Sequence, residues 1–329
     1  MGNFFALVSI ENMKLWKRIS AKVMLIIMVV VIVLATGIYK YYTASKNISN
    51  TTTVSENWKQ DLQKTVAVEK VQVAKAEKST STVASVGIGT TKKAIAEGEY
   101  RINNNIKPES KSSIWTMVTK FYTSGFSALI VLFAVIVCTA SVAGEFSEGT
   151  MKMMISRPYR RHEILSAKLI SIILYGIVLV ITTFVLTVVS TGIFFGFDGI
   201  GGKEMIWVSS KIFYVPAVLK TLIIFGLDFL QTIVFIIVAF AVSAISRSRA
   251  IATGFSLFLL FIGVSIIFML SEFFTWGKYL PVAVTDFSGF ISRGVTIPGT
   301  SLSFAIIMSL AYSVVFCFLG YYIFQKRDI

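Results

Sequence analysis

Histidine and cysteine are nearly missing: the 329 residues hold one histidine, His162, and two cysteines, Cys138 and Cys317. One histidine excludes a multi-histidine metal site within a single chain. Both cysteines lie in apolar stretches, so the hydrophilic part has neither a disulfide framework nor a cysteine-based zinc site. Charge is scarce as well. Asp, Glu, Lys and Arg make up 15% of the chain, against about 25% in soluble proteins. Acids are the rarer sign, 17 against 31 basic residues, leaving a net charge of +14. That excess carries no nucleic-acid recognition pattern, and much of it flanks apolar runs. A phosphate loop is absent too. The glycines and lysines from Gly87 to Lys93 (GIGTTKK) lack the G-x-x-x-x-G-K-[ST] spacing.

What is abundant is apolar: 55% of residues, with a mean hydropathy of +0.76. Residues 23–39, 121–144, 169–197, 229–246, 250–271 and 294–325 contain no charged side chain. A helix needs about 20 predominantly apolar residues to cross the ~30 Å hydrocarbon core. Six such stretches predict an all-α polytopic membrane protein with six transmembrane helices. The first run is too long for the apolar region of a cleaved signal peptide, and no A-x-A-like site follows it, so it reads as a retained helix.

Lys and Arg in short loops and near span ends mark the cytoplasmic side. Lys14, Lys17, Arg18 and Lys22 precede the first span. Lys152, Arg157, Arg160, Arg161 and Lys168 lie between the second and third. Arg247 and Arg249 join the fourth to the fifth, and Lys326 and Arg327 follow the sixth. Six spans put all four segments on one side, with both termini cytoplasmic. The stretch 40–120 then lies outside despite thirteen basic and seven acidic residues; long loops are translocated largely regardless of charge.

The expected organisation is a cytoplasmic amphipathic interfacial helix over 1–22, a first span over 23–43, and an extracellular insertion over 44–119. A second span over 120–144, a cytoplasmic loop over 145–168, and spans three to six over 169–329 follow. The insertion is helical. Thr53 and Glu56 have capping-box spacing, and Trp58, Leu62 and Val66 share a helical face. A second helix is predicted over about 92–104. The pair needs a partner to bury its apolar face.

The stretch ASVAGEFSEGTMKMMISRPYRRHEILSAK, residues 140–168, is the most informative. Glu145 closes the second span and Gly149 and Thr150 follow. Met151, Met154 and Ile155 recur at helical spacing, which predicts a short amphipathic helix along the inner membrane face. Arg157 and Pro158 end it. On charge alone, this is an ordinary positive-inside loop. The combination resembles the permease subunits of ABC-2-type ATP-binding-cassette exporters. The outer insertion, with its Asn57-Trp58-Lys59 and its segment from Glu99 to Ile106, resembles the branch related to bacitracin, lantibiotic and sodium exporters of Gram-positive bacteria, hence a bacterial plasma membrane. The N-terminal stretch with Phe4, Leu7, Val8, Glu11, Lys14 and Trp16 is similar to that family's interfacial helix.

The resemblance implies that Glu145, Gly149, Thr150, Met151, Arg157 and Pro158 form or shape a coupling surface for a separate ABC ATPase. It also implies a second permease, as homodimer or heterodimer. Neither a Walker A nor an ABC signature sequence occurs here, so the chain is not itself an enzyme. It needs no cofactor of its own, and ATP and Mg belong to the partner ATPase. Antimicrobial peptides, lipid-like molecules and ions are all compatible cargoes, and the remaining partner is the lipid bilayer, not nucleic acid.

Two charges mark the fourth span. Lys220 is expected to snorkel to the outer interface. Asp228 is deeper, and three positions are open to it: a substrate path, a structural hydrogen-bonded role, or the interface. Residues 272–300, rich in aromatics, read as an interfacial belt or, by the resemblance, as a re-entrant segment. A different class of function is a membrane sensor or scaffold whose basic outer domain binds a peptide or envelope polymer. The spans lack the histidines and paired carboxylates of an intramembrane enzyme, and no inverted repeat suggests a secondary transporter.

Overall fold

Apolar residues recurring every three to four positions set the first element, α1 (Phe4–Lys17), whose buried stripe is Leu7, Glu11 and Leu15. The computed structural model describes residues 4–45, 56–78, 88–108, 113–149, 159–208, 211–246, 248–274, 276–294, 297 and 299–326. A break at Arg18 separates α1 from the first span, α2 (Ile19–Ser45). The outer insertion supplies α3 (Trp58–Lys78) and α4 (Ile88–Asn103). The second span joins α5 (Ile114–Phe121) to α6 (Ser127–Ser147) through a π-helical turn, Tyr122–Phe126. Its start at Ile114 precedes the expected residue 120. The third is α7 (Arg161–Phe195).

A hairpin follows, β1 (Lys203–Val208) antiparallel to β2 (Lys211–Pro216), with Lys203 opposite Pro216 and Val208 opposite Lys211. It leads into the fourth span, α8 (Ala217–Ser246). The fifth span joins α9 (Arg249–Phe258) to α10 (Val264–Phe273) through a second π-helical turn, Leu259–Gly263. A short helix, α11 (Phe287–Ser292), lies before the sixth span, α12 (Leu302–Lys326). Among the described residues, six helices are long and apolar enough to cross a bilayer. The chain is an all-α polytopic membrane protein, with the hairpin as a small addition.

The second span is the centre of the bundle. From Ile130 to Glu145 almost every side chain of α6 is buried, and α8 packs along it. Membrane helices approach closely where side chains are small. Ala134, Ala140, Ala143 and Gly144 provide that surface on α6. Gly320 does so on α12, where an added Cβ would lie 3.3 Å from the Cα of Ala241. Ile26, Leu34, Ile181, Ile193, Ile307 and Phe318 are instead exposed on the first, third and sixth spans, the faces left to lipid.

Three expectations change. The cytoplasmic connection expected to run to 168 ends at Arg160, whose backbone N–H donates to the Glu163 carboxylate at 2.9 Å. An acidic side chain in the first turn satisfies an otherwise orphaned donor, so α7 begins two turns early and carries Lys168 inside it. The connection between the third and fourth spans adds a β-hairpin to the all-α expectation. Its β-branched and aromatic residues (Ile206, Trp207, Val208 and Ile212, Phe213, Tyr214, Val215) suit a pleated surface. The outer helices, expected to need a partner, find one in the chain itself. Lys93 of α4 donates to the Ser292 carbonyl at 2.5 Å.

Val66 and Leu62 of α3 meet α4 at Gly98, on the face that Trp58, Leu62 and Val66 predict. The expected cap at Thr53 lies outside the described residues. A methyl on Gly98 would stand 2.6 Å from Cγ2 of Val66. We expect Gly98→Ala to loosen the outer pair, with faster proteolysis of the insertion, and Val66→Ala to rescue it. Independent, additive effects would remove this contact.

Candidate functional site

Two polar constellations are buried at opposite ends of the bundle. The inner one is built by three elements. Glu11 stands on the apolar stripe of α1 where an aliphatic residue would be expected, and it is only 3% exposed. Glu145 is at the inner end of α6 and Lys168 in the second turn of α7. The Lys168 ammonium lies 2.7 Å from Glu11 Oε2 and 2.7 Å from Glu145 Oε2, with its side chain fully enclosed. Arg18, between α1 and α2, donates to the Ala140 carbonyl at 2.6 Å and lies 3.3 Å from Glu145 Oε1. Lys14 closes on Glu11 Oε1 at 2.7 Å.

The three buried groups, Glu11, Glu145 and Lys168, sum to −1, and the half-buried Lys14 and Arg18 add two cations at their edge. Burial alone pushes the Glu11 carboxyl up, but Lys168 and Lys14 outweigh it, and the group is held below the usual carboxylate range. A depressed carboxyl stabilises the fold in full above its unfolded pKa, and that contribution is lost as pH falls through the folded one. Thermal stability should therefore begin to fall within the ordinary carboxylate range and keep falling until the pH passes below the depressed value of Glu11. The Glu11→Gln variant should lack that part of the acid transition; an identical curve in the variant would remove Glu11 from the account.

Of the residues tied to a coupling surface, Glu145 turns inward, so its carboxylate is not offered to a docking partner. Gly149 follows α6 in a left-handed turn at φ 70°. Thr150, Met151, Arg157 and Pro158, with the predicted amphipathic helix, lie outside the described residues. Lys168 and Arg18, read from sequence only as orienting charges, and Glu11 are the residues that the linear reading missed. The available signal was a carboxylate four residues from both Leu7 and Leu15.

The outer constellation surrounds Asp228, about 16 Å along α8 at 1.5 Å per residue. Asp228 is 4% exposed and lines a cavity of about 270 Å³ with Thr123, Gln231, Asp286, Ser288 and Arg293. The π-helical turns supply Thr123 and Leu260 to its wall; such turns frequently mark functional sites. Asp286 caps α11 by accepting from the Gly289 N–H at 3.0 Å, and its other oxygen pairs with Arg293. Lys220, expected at the outer interface, sits at the outer end of α8 and pairs with Glu204 of β1 at 2.8 Å. Asp228 is thus placed at a cavity wall and not at the interface. The segment after α10 folds back as a 3-10 turn (Gly277–Tyr279) and α11, which lies against α8 and α12. Phe274, Trp276 and Tyr279 of this segment remain exposed.

Known proteins are similar to this chain. A Bacillus subtilis (strain 168) protein described as "Uncharacterized protein YhcI" is 28% identical over 321 residues, covering 97% of each chain. The "Uncharacterized membrane protein YdbK" of the same organism is 25% identical over 211 residues, 63% of this chain and 81% of that one. Residues 88–329, from α4 to the C-terminus, match the family described as "Protein of unknown function (DUF2705)". That stretch holds Glu145, Lys168 and the whole Asp228 cavity, and this multi-pass membrane protein belongs to the DUF2705 family.

Proposed function

We propose that the chain is the membrane-spanning permease subunit of an ATP-driven exporter in a bacterial plasma membrane, coupled to a separate ABC ATPase. The observation that supports this most is the inner ion network. A motor docked on the cytoplasmic side meets two elements there, α1 and the 145–160 connection. Lys168 holds both through one ammonium, so a push on either is passed to the start of α7 and the end of the central α6. An element that only had to insert in the membrane would leave such charges in water, since removing them costs several kcal/mol per ion before pairing.

On this reading Glu145 transmits motion from within, and residues 149–158 make the contact. ATP and Mg bind the partner ATPase, and a second permease completes the complex. The test is purification from native membranes followed by vesicle assays. A separate ATPase should co-purify, and ATP should drive outward movement of a labelled cationic peptide, a labelled lipid or sodium, tried in turn. Glu145→Gln should lower export at least tenfold while the ATPase remains bound and hydrolyses ATP. Wild-type export in that variant would sink the coupling role. Absence of any ATPase, with peptide or polymer binding by the outer insertion, would favour a sensor or scaffold.

A further inference from the structure

We propose that the outer cavity is a binding site for a primary ammonium group carried by a molecule with an apolar portion, with Asp228 as its counter-ion. Among the described residues, Asp228 is a buried carboxylate that makes no ion pair. Asp286 has both oxygens engaged, by the Gly289 N–H and by Arg293. Oδ2 of Asp228 is buried and accepts no well-aligned hydrogen bond among the described residues; the groups beside the carboxylate include the neutral hydroxyls of Tyr122 and Ser288. A carboxylate at such depth defaults to a functional role because an unpaired charge there is expensive.

The charged lining residues, Asp228, Asp286 and Arg293, sum to −1, so one positive charge neutralises the site. The hydroxyls around it are set to accept. Thr123 donates to the Thr119 carbonyl and Ser292 to the Ser288 carbonyl, each at 2.9 Å, which leaves their lone pairs for a donor. An ammonium brings three N–H donors and no acceptor. No group of three or more metal-ligating side chains occurs among the described residues, which disfavours a multivalent metal.

A second cavity of about 330 Å³ adjoins the first and shares Gln231, Val264, Asp286 and Arg293 with it. Its own wall is mostly apolar, with Val282, Ala283, Val284, Phe290 and Ile297 beside Ser265 and Thr285. One side therefore suits a cationic head and the other an apolar body. The outer helix α4, tied by Lys93 to Ser292, stands over the cavity's edge.

Binding is measured on the purified full-length protein in nanodiscs, without ATPase or transport, so its outcome is separate from that of the export reading. Butylammonium chloride replaces sodium chloride at constant total salt, and thermal stability is followed. We expect saturable stabilisation by butylammonium, weaker by methylammonium, and at least a tenfold loss of apparent affinity in Asp228→Asn. Protection by sodium equal to that by butylammonium would overturn the proposal, as would an unchanged response in the variant, which marks partition into the bilayer. Should Asp228→Asn fail to fold, Ser288→Ala carries the test, with an expected threefold weakening; unchanged affinity there overturns it equally.

Discussion

Replacing Lys168 with methionine is expected to destabilise the protein by about 3–5 kcal/mol, the usual cost of removing one partner from a buried ion pair. The size follows from what remains. Methionine fills most of the volume but leaves Glu11 and Glu145 enclosed, with Lys14 and Arg18 as their remaining partners. Lys14 is more than a third exposed and Arg18 holds Glu145 from 3.3 Å, so neither replaces an ammonium at 2.7 Å from both. Two like charges then share a dry site, and each favours its neutral form. Detergent-solubilised thermal unfolding should show the loss. The double variant Lys168→Met with Glu11→Gln should recover part of it, because one of the two crowded carboxylates has gone. A double variant no better than the single one would mean that Lys168 acts through packing alone.

The second large effect is expected at Gly277, where the chain turns back after the fifth span. A Cβ built there would stand 2.4 Å from the Cα of Ser271, 2.6 Å from its nitrogen and 2.8 Å from the Leu270 carbonyl oxygen. These are backbone atoms, which have no rotamer to yield, so the two segments must part. Overpacking of this kind costs about 1–3 kcal/mol, and Gly277→Val should lie at the upper end. The displacement propagates into the segment that brings Asp286, Ser288 and Arg293 to the cavity. Both stability and butylammonium binding should therefore fall in Gly277→Val, whereas Gly201→Ala, with open space around its Cβ, should leave both unchanged. Normal binding in Gly277→Val would show that the segment after α10 tolerates a shift.

How much of this was legible can be judged from single residues. The charge-free runs placed the six spans to within about three helical turns, because the bilayer imposes length and polarity on each segment separately. The stripe Trp58, Leu62 and Val66 named the face of α3 that meets Gly98, since helical period acts locally. Lys168 was misjudged for the opposite reason. A lysine before an apolar run orients a helix by default, and only its two acidic neighbours, 157 and 23 positions away in the chain, make it a buried pivot. Asp228 was recognisable as costly, but its surroundings were not, since Asp286 and Ser288 arrive from a segment beyond the fifth span.

The hairpin β1–β2 shows an intermediate case. Its alternation of Ile, Trp, Val, Phe and Tyr is a strand signal, overshadowed by the apolar runs on either side. Its register places Glu204 beside Lys220. Neither residue alone foretells the pair.

By itself, the chain of amino acids determined the number of spans, their direction and the outer position of a helical insertion. These follow from the transfer of single segments into lipid, a free energy summed residue by residue with little reference to neighbours. Tertiary structure alone decided which charges are neutralised and which are left over. Pairing depends on separations of a few ångströms between residues remote in sequence, and Coulomb energy in a dry interior changes steeply over that distance. That is why +14 reads in the sequence as a signpost for topology, and in the fold as a closed network at Lys168 and an open site at Asp228.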